Sequence, residues 1–227
     1  MSDVFWALRT SILTGEIEPG TRINIDAVTR SMDASPTSVR EVLHRLEDEN
    51  LVLCTPGRAY STTPLLDLAE LHSLFDFRLL VEPWAARSAA VNGLANPAAA
   101  LDRELSAFRD KMQHSGDHRQ DLAAHDMRFH DTILSAAGNP VVWRAFAQTH
   151  CHLHTFRLYS QDVYGALTLA EHSSVLDAIR TCQPDRAEKA MAEHIRNSFT
   201  RFAQAIEDNV ALPPLEDNGP PQPHIVG

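Results

Sequence analysis

Residues 35–63, SPTSVREVLHRLEDENLVLCTPGRAYSTT, decide how the first part of this chain folds. Ser35 carries a hydroxyl suited to cap a helix, and Pro36 is pre-set for the first helical position. Val39, Val42, Leu43 and Leu46 then recur at helical spacing, which predicts a helix over 36–49. Two strand-like runs follow, LVLCT and AYSTT, around the turn Pro56-Gly57-Arg58. Working back from Ser35, residues 24–32 form a second short helical pattern with Ile25, Val28 and Met32 inward. Residues 3–14 form a third pattern, with Phe5, Leu8, Ile12 and Leu13 on one stripe, ended by Gly15 and Pro19-Gly20. Three helices and then a hairpin is the order of a winged helix-turn-helix.

Beyond Asp67 the pattern turns almost wholly helical. Asp67 with Glu70 three residues on reads as a capping box, and the helix it opens passes through Pro83, a position where kinks arise. Further helices are expected over 97–112, 121–137, 140–159, 164–181 and 185–207, so the fold class is mainly α, a winged helix-turn-helix followed by an all-helical bundle. The domains expected are 1–65, 66–210 and a tail, 211–227, that has little to bury and is expected to be disordered. The tail from Pro213 holds five of the thirteen prolines. With 44% hydrophobic residues, 227 residues can bury a sizeable core. No apolar run is long enough to span a membrane, and the first residues lack a signal-peptide pattern, which points to a cytoplasmic protein. Three widely spaced cysteines, Cys54, Cys151 and Cys182, fit reduced thiols better than disulfides. A net charge of −10 excludes a protein that coats nucleic acid through bulk positive charge.

A winged helix-turn-helix lays the second helix of its motif in the major groove. With the apolar stripe of 36–49 turned inward, Ser35, Thr37, Ser38, Arg40, His44 and Arg45 remain for the outside. Arg40 suits a guanine or a phosphate, Arg58 at the hairpin tip suits the minor groove or backbone, and Arg30 at the end of the preceding helix suits another phosphate. Against this stands an ordinary solvated helix: residues 1–63 hold six Lys and Arg against nine Asp and Glu.

Nine of the twelve histidines fall between His114 and His194. Asp126 and His130, four apart, share a helix face that Ile133 and Ala137 continue inward. His172 shares a stripe with Val175, Leu176 and Ile179, and His194 one with Ala187, Met191 and Ser198. One carboxylate and three imidazoles converging in a bundle suit a borderline divalent ion such as Zn²⁺, Ni²⁺ or Mn²⁺. The alternative is four separately hydrogen-bonded side chains. His150, His152 and His154 in HCHLH are two apart and diverge on a helix, so they are expected mostly on its surface, with His152 or His154 as pocket candidates. Trp84 and Trp143 read as core residues. His125 has no role in this scheme.

The run LRTSILTGEIEPGTRINIDAVTRSMDASPTSVREVLHRLEDENLVLCTPGRAYSTTPL resembles the N-terminal domain of GntR-family transcriptional regulators. The continuation DLAELHSLFDFRLLVEPWAARSAA, with the later histidines, resembles the FadR-type subfamily and its helical FCD domain. The sequence departs from the family pattern at Pro36, where an arginine is usual, at Ser38, where a proline is usual, and at Ala59, where the wing usually has glycine. The resemblance implies a homodimer on a double-stranded DNA operator, a small organic acid effector, and a repressor of a nearby catabolic operon. It implies metal ligation by Asp126, His130, His172 of the Glu171-His172 pair, and His194. Arg78 matches a recurrent family arginine suited to an effector carboxylate, and an ion pair with Glu82 one turn on is the competing reading. A metal-dependent hydrolase or oxygenase is the alternative function, but the chain shows no metalloprotease glutamate, nucleophile motif or glycine-rich phosphate loop. A third reading makes the metal itself the signal.

Overall fold

The computed structural model describes residues 2–55, 57, 59–93, 95–114, 118–158 and 165–211. They divide into two compact units, one up to Leu65 and one from Leu66 to Val210.

The first unit runs α1 (Ser2–Thr14), β1 (Arg22–Ile23), α2 (Ile25–Ser31), α3 (Pro36–Asp48), β2 (Val52–Thr55) and β3 (Ala59–Thr62). Helix α3 starts where the sequence signals it: the Ser35 side chain accepts from the Ser38 amide at 3.1 Å, and Pro36 follows. Val39, Val42, Leu43 and Leu46 are fully buried together with Leu8 and Val28. Burying each such side chain contributes about 1.5–3 kcal/mol, so the stripe fixes which face of α3 remains outside. The strands form an antiparallel sheet in the order β1-β3-β2, with Tyr60 opposite Ile23 on one side and Cys54 on the other. Strand β1 has no sequence signature because two residues cannot show an alternation. It is pinned by Thr62, whose hydroxyl accepts from the Thr21 amide at 3.0 Å and donates to the Glu18 carbonyl at 2.6 Å. Arg58 lies outside the described residues.

The second unit consists of α4 (Leu68–Val91), α5 (Ala98–Met112), α6 (Arg119–Ala136), α7 (Pro140–Ala147), α8 (Cys151–Phe156), α9 (Gly165–Arg180) and α10 (Pro184–Ala211). The Asp67 capping box is present, with the Glu70 amide donating to Asp67 at 2.8 Å and the Asp67 amide to Glu70 at 3.0 Å. Helix α4 continues through Pro83. It packs on α6 and α9, and α5 packs on the same two helices, so the core lies among these four. Among the described residues no helix is long and apolar enough to cross a membrane.

Two expectations are corrected here. The helix expected over 140–159 is two helices, broken at His150, whose backbone is left-handed at φ 47°. The Thr149 hydroxyl donates to the Phe146 carbonyl at 2.7 Å, competing with the helical ladder, and the left-handed residue then ends α7. Trp84 and Trp143 are not core residues: each is 37% exposed, and the Trp143 indole N–H donates to Asp131, so both meet the polar surface. The residues expected to form the disordered tail lie, from 212 on, outside the described residues, as do Tyr159 and Tyr164.

Candidate functional site

Helix α6 presents Asp126 and His130 one turn apart, α9 presents His172 and α10 presents His194. One donor atom from each lies within 4.8 Å of all the others. His130 Nε2 is 3.2 Å from His194 Nε2, which is 3.3 Å from His172 Nε2. Asp126 Oδ1 is 3.6 Å from His130 Nε2 and 3.4 Å from His172 Nε2. Donors held tetrahedrally at ~2.0–2.1 Å from one ion stand ~3.3–3.4 Å apart, close to these four separations, so the group could hold a metal ion. Without a cation Asp126 Oδ1 can accept an Nε2–H from His130 or His172, and one ring nitrogen can donate to another, but three buried nitrogens cannot all pair with one another in this way.

The outward-facing nitrogen of each imidazole is occupied. His130 Nδ1 bonds Glu82 on α4, His194 Nδ1 is 2.8 Å from Glu171 Oε2, and His172 Nδ1 is 3.0 Å from His125 Nε2. Asp126 Oδ2 accepts from His152 Nδ1 at 2.8 Å, which leaves Oδ1 for the centre. Carboxylates behind imidazoles select the tautomer whose Nε2 carries a lone pair.

The electrostatics agree with that assignment for His172 and His194 and oppose it for His130. Burial pushes Glu82 up, but Arg78 and His130 outweigh it and hold the carboxylate far below its ordinary value. Burial lowers His172, and the neighbouring His194 lowers it further, well below the usual imidazole range. His194 is lowered by burial despite its bond to Glu171. His130 goes the other way: burial disfavours its charge, yet Glu82 and Asp126 together raise it.

Arg78 donates from Nε to Glu82 Oε1 at 2.6 Å and is 1% exposed, so the expected ion pair with Glu82 exists. Its Nη2 is buried without a hydrogen-bond partner. Arg78 also lines a cavity with Asp126, His152, Thr155, Thr168 and Ser198. His152 lines this cavity, as one of the two pocket candidates, and is buried rather than on the helix surface. The break at His150 re-aims it at Asp126, and its Nε2 too is buried without a partner. Glu82, Glu171, His125 and Glu104 were absent from the candidate set, because each acts on a histidine across a helix boundary that spacing along one helix does not reveal.

In the first unit, Arg30, Ser35, Thr37 and Arg40 are exposed. The hydroxyls of Ser35 and Ser38 are 2.9 Å apart, tied to the cap. His44 bonds Tyr60 Oη at 3.2 Å and Glu47 at 3.3 Å, and the Arg45 guanidinium lies 4.0 Å from the Phe5 ring centroid. Of the outward set, Arg30, Thr37 and Arg40 therefore present the least encumbered groups.

The FCD domain profile matches residues 73–197, and the profile described as bacterial regulatory proteins, gntR family, matches residues 1–61. An HTH-type transcriptional regulator in an unstable DNA locus of Streptomyces ambofaciens is 29% identical over 202 residues, covering 87% of this chain and 82% of its own. The galactonate operon transcriptional repressor of Escherichia coli (strain K12) is 25% identical over 223 residues, covering 87% and 94%. A GntR transcriptional regulator from Rhodococcus sp. RHA1 shares the fold with a TM-score of 0.68 at 18% identity, over 90% of this chain and 97% of that one.

Proposed function

The chain belongs to the GntR family of bacterial regulatory proteins with an FCD domain, and from that premise we propose a metal-dependent, organic-acid-responsive repressor. It is a DNA-binding transcriptional regulator of the FadR type, not an enzyme. In this reading it works in the cytoplasm as a homodimer on paired half-sites of a double-stranded operator, near a catabolic operon. Arg30, Thr37 and Arg40, with Ser35, Ser38, His44 and Arg45, face the DNA, and Arg58 of the hairpin turn is assigned to it from the sequence alone.

Asp126, His130, His172 and His194 hold one divalent ion, with Zn²⁺, Ni²⁺ and Mn²⁺ all matching the nitrogen and oxygen donors. The ion would supply positive charge to an anion, and would bind it directly only by taking more than the four protein ligands. Arg78 supplies a fixed donor beside it, because Nε is committed to Glu82 while Nη2 is not. One relative is named for repressing a galactonate operon, and we extend to this chain the chemistry of a small carboxylate effector. Effector binding favours one arrangement of the DNA-binding domains over another, and the coupling is reciprocal.

One observation carries this reading: three imidazoles and a carboxylate point donor atoms at a common centre while each imidazole's other nitrogen is already bonded. The test is metal analysis of purified protein, followed by chelation, reloading with Zn²⁺, Ni²⁺ or Mn²⁺, and gel retardation of the gene's own upstream DNA with lactate, malate, gluconate and citrate. One carboxylate is expected to shift the midpoint only in metal-loaded protein. His172→Ala is expected to remove metal and carboxylate stabilisation together, and retention of both sinks the four-ligand reading. A response to metal with no carboxylate effect favours the metal as signal.

A further inference from the structure

His125 is fully buried on α6 and is not one of the four donors. Its Nε2 is 3.0 Å from His172 Nδ1, and its Nδ1 is 3.1 Å from Glu104 Oε1 on α5. Glu104 is in turn held by a two-pronged Arg128 fork, Nε to Oε2 at 2.8 Å and Nη2 to Oε1 at 2.9 Å. His172 is thus unlike its two partners: His130 and His194 bond a carboxylate directly, whereas His172 bonds one through a second imidazole that ends at an exposed arginine.

The proton order along this chain is dictated from its outer end. An ionised carboxylate only accepts, so Glu104 requires the proton of neutral His125 on Nδ1. His125 Nε2 then has only a lone pair, and it must accept from His172 Nδ1–H. A neutral imidazole has one N–H, so His172 Nε2 is left as the lone pair facing Asp126 and His194. Stacking fixes the orientation of each ring, His125 on Phe108 at 4.5 Å and His172 on Phe129 at 3.9 Å.

We propose that Arg128, Glu104 and His125 form a relay that positions His172 as a metal donor, with His125 a positioning residue rather than a fifth ligand. This rests on the four-ligand reading above. It means that the affinity of the centre is set partly by a surface ion pair on α5 and α6, well outside the coordination sphere.

The test is the affinity of the full-length protein for Zn²⁺ by chelator competition, together with the Co²⁺ absorption spectrum. Three variants, His125→Phe, His125→Gln and Glu104→Gln, are compared with the wild type. Loss of such an outer partner typically weakens metal binding ~10–100-fold. His125→Phe keeps the stack but removes the acceptor, so a loss in that range is expected. The Co²⁺ spectrum at saturation should keep its four-ligand intensity. In His125→Gln the amide oxygen accepts from His172 Nδ1–H, and most of the affinity is expected to return. Glu104→Gln, at the partly exposed end, should fall between and folds even if the Phe variant does not. A simple packing role would lower metal-free thermal stability and leave Zn²⁺ affinity unchanged. Wild type that binds Zn²⁺ alongside variants of equal affinity overturns the relay alone. Wild type that binds none overturns the four-ligand reading and the relay with it.

Discussion

Arg40 and Arg78 are the same side chain put to opposite uses. Arg40, on α3, is exposed, and in the proposed function it meets phosphate or base edges. Arg78, on α4, is 1% exposed and already bonded to Glu82, which is itself bonded to His130. Arg40 keeps its charge in water, where a surface charge contributes little to stability. Arg78 and Glu82 are removed from water, where each charge is tolerable only while its partner stays. Recognition of a long polyanion can rest on mobile surface groups, whereas a small ion in a bundle needs donors fixed before it arrives.

The largest effect is expected at the buried arginine. Arg78→Met leaves the Glu82 carboxylate with one partner fewer in a dry site and should cost about 3–5 kcal/mol of stability, read from chemical denaturation. The same change at Arg40 should stay within about 0.5 kcal/mol. Equal costs at the two positions would break the contrast.

A smaller effect, of the opposite kind, sharpens it. Arg40→Ala should weaken binding to operator DNA by about 1–3 kcal/mol, measured by gel retardation at fixed salt. Its bound metal, measured on the same preparation, should not change. Metal loss in Arg40→Ala would mean that the two units do not divide the labour as drawn.

The smallest effect concerns pH. Burial, with Arg157 and His150 nearby, lowers His154 to about 4. Folded protein therefore binds fewer protons than unfolded protein between that value and the ordinary imidazole value of about 6.5. The His154 contribution is fully present above that range and is lost as pH falls through it. His154→Gln should flatten the decline in melting temperature across this window; an unchanged slope would place the acid sensitivity elsewhere in the bundle.

The same division explains how much could be read from the sequence. The winged helix was legible because its signals are local: the Ser35 cap, Pro36 and a four-residue apolar stripe stand within one segment of chain. Strand β1 was not, since it exists only through Thr62 and pairing with β3. The convergence of Asp126, His130, His172 and His194 was legible because each shares a stripe with apolar neighbours that are buried, such as Ile133, Val175 and Met191. Their outer partners were not. Glu82 lies 48 positions from His130 and His125 lies 47 from His172, and only the packing of α4 on α6 and of α6 against α9 brings them together. Arg78 with Glu82 was the exception, visible because both sit on one helix four residues apart.

The left-handed residue at position 150 bears on how this stretch tolerates change in length. An unbroken helix transmits every insertion or deletion downstream as a rotation of about 100° per residue. Here the helical phase restarts at Cys151. One residue gained or lost within α7 would rotate Phe146 and Trp143 off their partners, yet the joint can keep that rotation from reaching His152. One gained between His150 and His152 would turn that imidazole about a quarter of the way round its axis and away from the carboxylate. A boundary of a single residue thus separates two helices whose rotations need not be shared.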